Sequence, residues 1–213
     1  MTVHTGDSGN NTLVGSADND TLYGRGGNDT LNGAGGIDTA IYDGNLGDYS
    51  ITVLKDADDR VTAFTAVADN ESGNGDEGYD TLSGIERLQF ANRTLDLTHS
   101  IQVFDQNGNL VRTTNSLQEA VDGSQNNYTI RLGEGSFAGN VTVNKAVTIL
   151  GADAGQAAPL RDASDGDHAS NILGDVTITA AGKVVVDGVR FVNNGGGFAN
   201  PTLSIQSSGN AGG

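Results

Sequence analysis

Apolar side chains return along this chain with two different rhythms. Between Gly6 and Ile41 an aliphatic residue recurs every nine positions, at Leu13, Leu22, Leu31 and Ala40, in a background rich in glycine, aspartate, asparagine and threonine. One inward side chain per nine residues is too sparse for a helix or a long strand. It predicts a turn of six residues followed by a strand of three, with the aliphatic residue pointing inward. From about residue 128 the rhythm changes to short β-branched runs, YTIRL, NVTVN, AVTILG, VTIT, KVVVDGVRFVNN and TLSIQ, with glycine or asparagine at the corners. These predict strand after strand.

The first rhythm is a repeat. GDSGNNTLV, GSADNDTLY, GRGGNDTLN and GAGGIDTAI follow one another in phase, and GDEGYDTLS forms a fifth copy at Gly75–Ser83. Position one is always glycine and position seven always threonine; position six reads Asn11, Asp20, Asp29, Asp38 and Asp80. Glycine-rich turns suit backbone conformations with positive φ. If two nonapeptides complete a coil, Asn11 stacks with Asp29 and Asp20 with Asp38. Side-chain oxygens and turn carbonyls then face a shared gap, a donor set suited to calcium, which accepts 6–8 oxygens in flexible geometry. The candidate ligands are the side chains of Asn11, Asp18, Asp20, Asp29, Asp38 and Asp80, and the turn residues Gly15, Gly24, Gly26, Gly33 and Gly35.

These nonapeptides resemble the RTX, or hemolysin-type, calcium-binding repeat. The likeness extends over about residues 1–98, because GIDTAIYDG with DYSITV, and GYDTLSGIERLQFANRTLDL, are similar to segments that close such modules in secreted bacterial proteins. It implies a parallel β-roll that binds Ca2+ and type I secretion from a Gram-negative cell. The chain departs from the pattern in lacking glycine at position two, where Asp7, Ser16, Arg25, Ala34 and Asp76 stand, and in Asn11 and Asp18.

Between the fourth and fifth copies, within about 42–74, DYSITVLKDADDRVTAFTAVAD reads as an inserted β-hairpin. Ile51 and Val53 lie on one arm, Val61 and Phe64 on the other, and the hairpin covers the end of the roll. A linking hairpin at 99–113 centres on Asn107–Gly108. Ser116 with Glu119 then offers a capping box for a short helix. The stretch from Ser116 to Ala152 resembles the opening of pectate-lyase-like proteins, and that likeness implies the first coils of a right-handed parallel β-helix over 114–213. An antiparallel sandwich is the alternative for this half, although it contains few hairpin turns. The fold class is all-β.

Composition narrows the function. Eleven basic against 27 acidic side chains give a net charge of −16, which disfavours nucleic acid and anionic membranes as partners and favours cations. With 32 glycines, 2 prolines and no cysteine, neither disulfides nor zinc thiolates are available to hold small modules together. No apolar run approaches the ~20 residues of a membrane helix, and the first residues show no export signal of the Sec type. The chain reads as part of a longer protein, with any C-terminal secretion signal beyond Gly213. Arg161, Asp162, Asp165, Asp167 and His168 cluster in a long loop that reads as a solvated insertion, and His4 and His99 read as surface residues. Two functions remain open. One is a secreted structural or adhesive module that folds on binding calcium and meets extracellular polysaccharide or a cell surface. The other is part of a polysaccharide-modifying lyase, hydrolase or epimerase.

Overall fold

A computed structural model describes residues 1–71, 76–155 and 169–192 and the strand Leu203–Ile205. The described residues are all-β apart from one short α-helix and one 3-10 turn, and the chain divides into two compact units, Met1–Thr98 and His99–Gly213.

In the first unit each nonapeptide contributes a three-residue strand. These are β2 (Thr12–Val14), β3 (Thr21–Tyr23), β4 (Thr30–Asn32) and β5 (Thr39–Ile41), preceded by β1 (Val3–Thr5). The strands alternate between two parallel sheets, so repeats 18 residues apart are neighbours: Leu13 pairs with Leu31, and Leu22 with Ala40. Position eight points inward, and Leu22, Leu31 and Ala40 have no exposed surface. Burying a leucine in this way is worth roughly 1.5–3 kcal/mol. His4 falls in register with Leu22 at the head of its column, where the later coils carry aliphatic side chains.

The roll ends differently on its two sheets. The hairpin β6 (Tyr49–Lys55) and β7 (Val61–Asp69) leaves the repeat, turning at Asp56, whose carboxylate accepts the amides of Asp58 and Arg60. It returns antiparallel to β8 (Tyr79–Ser83), the strand of the fifth copy, which itself pairs with β4. This sheet therefore runs β2-β4-β8-β7-β6. The other is closed by β9 (Arg87–Phe90), parallel to β5, and its hairpin partner β10 (Arg93–Asp96). Arg87 Nε donates to Asp96 at 2.6 Å and ties the closing hairpin together. Tyr42, Tyr49 and Phe90 pack with ring centroids 5.2–5.5 Å apart beneath these closing strands.

The second unit opens with the hairpin β11 (Ile101–Phe104) and β12 (Leu110–Thr114), then helix α1 (Leu117–Asp122). Three sets of three strands follow. They are β13 (Thr129–Leu132), β14 (Gly135–Ala138), β15 (Val141–Val143); β16 (Thr148–Leu150), β17 (Ser170–Leu173), β18 (Val176–Ile178); and β19 (Val185–Asp187), β20 (Val189–Val192), β21 (Leu203–Ile205). Like positions pair in parallel, forming sheets β13-β16-β19, β14-β17-β20 and β15-β18-β21, so the chain winds over three faces. Parallel pairing throughout the three sets excludes the hairpin-joined sandwich. The β11–β12 hairpin is antiparallel to β13 and extends the first of these sheets.

Ile130, Leu132, Phe137, Val141, Val143, Ile149, Ile172 and Val176 fill one apolar interior, and α1 adds Leu117, Ala120 and Val121. Ser116 Oγ accepts the Glu119 amide at 3.3 Å, while the Glu119 carboxylate accepts from Thr114 Oγ1 rather than from the Ser116 amide. Only half of the capping box is thus made in its usual form. At the other end of the helix, Lys145 Nζ donates to the carbonyls of Val121 and Asp122.

Candidate metal centre

Asp20, Asp29, Asp38 and Asp80 lie at the ends of the six-residue turns and are each at most 2% exposed. An isolated carboxylate buried to that degree is costly unless it finds donors or a cation. One oxygen of each finds a donor in the neighbouring coil. Asp29 Oδ1 accepts the Asn11 amide at 2.7 Å, and Asp80 Oδ1 accepts the Asp29 amide at 2.8 Å. On the other sheet Asp20 Oδ1 accepts the Thr2 amide and Asp38 Oδ1 the Asp20 amide, both at 2.6 Å. Glu86 completes that series by accepting the Asp38 amide at 2.9 Å. Each coil is thus joined to the next by a charge-assisted bond from position six to position six.

The second oxygen separates the turns. Asp29 Oδ2 and Asp38 Oδ2 are buried with no hydrogen-bond partner, and neither residue has a basic side chain in ion-pair reach among the described residues. Asp20 Oδ2 instead accepts both the amide and the hydroxyl of Ser16, at 2.6 and 2.7 Å. Those bonds, the hydroxyl first, hold the Asp20 carboxyl down at about 2. Burial pushes Asp80 the other way, up to about 6, and the nearby Asp29 charge adds to it. His4 Nε2 sits 3.9 Å from Asp20 Oδ2, partly buried rather than on the open surface.

Position-one glycines let the coils approach this closely. A Cβ on Gly15 would lie 2.5 Å from the Gly33 carbonyl oxygen, and one on Gly33 would collide with the Gly84 carbonyl and the Asp38 carboxylate. The Gly33 carbonyl and the Asp20 carboxylate thus face one point, as do the Gly84 carbonyl and the Asp38 carboxylate. Among the described residues no three acidic or imidazole side chains converge on one point, so a cation here would draw on one or two carboxylates and on backbone carbonyls. Orphaned buried oxygens beside packed carbonyls form a donor set that fits a hard cation such as calcium. Gly24 contributes in the same way as Gly33, because a Cβ there would strike Asp29. Gly26 and Gly35 lie further from the carboxylates: a Cβ on Gly26 would come 3.0 Å from the Asp76 carbonyl and one on Gly35 3.7 Å from Ala17. Asp18 is exposed, and its amide donates to Ser16 Oγ at 3.2 Å.

Two features were not readable from the repeat. Glu86 lies outside any nonapeptide and enters the position-six series only because β9 stacks on β5. Glu77, 6% exposed, accepts the Asp43 amide and the Tyr49 hydroxyl, and burial raises its pKa. The cluster from Arg161 to His168 lies outside the described residues.

The first unit is a roll of stacked nonapeptides with buried position-six carboxylates. Residues 5–40 match the RTX calcium-binding nonapeptide repeat in four copies. No curated protein and no solved structure matches the chain.

Proposed function

We propose that the first unit is a calcium-binding module whose folding is completed by the metal, within an extracellular protein of structural or adhesive role. The observation that carries this reading is the pair of orphaned carboxylate oxygens on Asp29 and Asp38, buried inside a repeat that matches a calcium-binding family. Asp29, Asp38 and their turn carbonyls would hold the ion, with Asn11, Asp20 and Asp80 bracing them from neighbouring coils. Bound calcium supplies the positive charge that the buried carboxylates lack. Because the unfolded chain has no such assembled site, binding free energy becomes folding free energy.

Extracellular calcium modules work at a Kd of about 10⁻⁴–10⁻³ M. That range keeps such a roll loose at cytosolic calcium levels and folds it outside the cell, which suits export of an unfolded chain. Among the described residues no helix is long and apolar enough to cross a membrane. The three-faced winding of the second unit is compatible with a right-handed, pectate-lyase-like β-helix, and a stiff stalk of that kind would present its faces to polysaccharide or a cell surface. The module is tested by titrating calcium into the chelator-treated chain while following far-UV circular dichroism, with magnesium as control. A rise in β signal at millimolar calcium, absent with magnesium, is expected; a spectrum unmoved by calcium overturns the reading.

A further inference from the structure

The four consecutive turns fall into two kinds, and the difference begins at position two. Arg25 and Ala34 have φ of 69° and 70°, and their position-four glycines Gly27 and Gly36 have φ of 100° and 110°. Asp7 and Ser16, with Gly9 and Asp18 at position four, are not left-handed. The left-handed region costs a residue with a side chain about 1 kcal/mol, so two consecutive turns that adopt it do so under a shared constraint.

The consequence falls on the carboxylates. Where position two is not left-handed, its amide turns back onto position six: Asp7 N–H donates to Asn11 Oδ1 at 2.8 Å and Ser16 N–H to Asp20 Oδ2 at 2.6 Å. Where it is left-handed, that bond is lost. The Ala34 amide goes to Asn32 Oδ1 at 3.0 Å, and Asp38 Oδ2 is orphaned, as is Asp29 Oδ2. In the first turn the acceptor is also a neutral carboxamide, which further donates to Asp7 at 3.3 Å.

We propose that position two decides which turns require calcium: the turns ending at Asn11 and Asp20 are satisfied internally, and only those ending at Asp29 and Asp38 call for an ion. The proposal rests on the calcium-binding reading above and divides the repeat further. The first two turns form a metal-independent start on which the later two close when calcium arrives. One open turn lies on each side of the roll, because Asp29 belongs to the series of Asn11 and Asp80, and Asp38 to that of Asp20 and Glu86.

The test is calcium stoichiometry by isothermal titration calorimetry on the full chain, with thermal melting in chelator as a second readout. Asp29→Asn and Asp38→Asn keep the ladder acceptor and replace the orphaned oxygen, so each should lose one bound ion without weakening the calcium-free fold. Asp20→Asn should keep the wild-type stoichiometry and lower the calcium-free melting temperature, because its new amide opposes the Ser16 N–H. Ser16→Gly removes the hydroxyl donor, permits a left-handed position two, and should add one ion. If the wild type binds calcium but Asp20→Asn loses an ion as Asp29→Asn does, and Ser16→Gly adds none, this proposal is overturned while the calcium reading stands. A wild type that binds no calcium overturns both.

Discussion

The roll of the first unit and the three-faced coil of the second both stack parallel strands of three or four residues, yet they settle their corners in opposite ways. In the second unit no carboxylate is buried among the described residues. Asn126 Oδ1 accepts the Ala146 amide at 3.0 Å, Asn140 turns the chain with φ of 61°, and Lys145 neutralises the helix end. Among the described residues of this unit the buried side chains are apolar or, as with Gln102 and Ser170, neutral polar. In the first unit the inward column is thin, one residue per nonapeptide, and the corners are buried carboxylates in two like-charged series. A neutral corner is complete once it is folded. A carboxylate corner stores repulsion and desolvation that only a cation removes, so stability of the roll becomes a function of calcium.

The largest expected effects break each core in turn. Leu31→Ala in the roll and Ile149→Ala in the coil, both essentially unexposed, should each cost about 2–5 kcal/mol. Melting curves in calcium and in chelator distinguish them: calcium should recover part of the Leu31→Ala loss and none of the Ile149→Ala loss. Next, saturating calcium should stabilise the roll by about 2.7 kcal/mol per ion at a hundredfold excess over Kd, read as a shift of denaturant midpoint confined to the first unit's transition. A smaller effect belongs to the second unit alone. Ser116→Ala should cost about 1 kcal/mol through the lost helix cap, equally with and without calcium.

The smallest effect sharpens the charge argument. Asp80 titrates at about 6 in the folded roll against an ordinary 3.8, so the folded state holds a proton that the unfolded chain has released. Without calcium, lowering the pH from about 6 towards 4 should therefore stabilise the roll. Below about 4 the sign reverses. Asp20, held at about 2, and Asp96, where the Thr98 and Arg87 bonds outweigh burial, contribute stability that is lost as they protonate. A pH series of chelator-treated melts showing no maximum in the acid range would contradict this assignment.

The roll was legible because its period is short and strict. Nine-residue phase fixes the strands β2 to β5, and the 18-residue stacking follows from two turns per coil. The Ile51–Phe64 hairpin and the Asn107–Gly108 turn were equally plain. Strand β14, GSFA, was hidden because glycine, serine and alanine carry no strand signal and only Phe137 is buried; β17, SNIL, was hidden because its serine and asparagine read as turn residues. At the site, sequence phase identified the position-six residues but not the use of one oxygen by the adjacent coil's amide. Nor could it separate Asp20 from Asp38, because that difference lies in backbone conformation at Ser16 and Ala34. Glu86 joins its series through a strand pairing across 48 residues, beyond any local pattern.

The most direct test is amide hydrogen exchange on the full chain, resolved by peptide, in chelator and in millimolar calcium. The account predicts that calcium slows exchange strongly over residues 24–40 and 79–90, modestly over 6–23, and leaves 101–150 unchanged. Equal protection of the roll in chelator and in calcium would show that its buried carboxylates need no metal, and the central claim would fall.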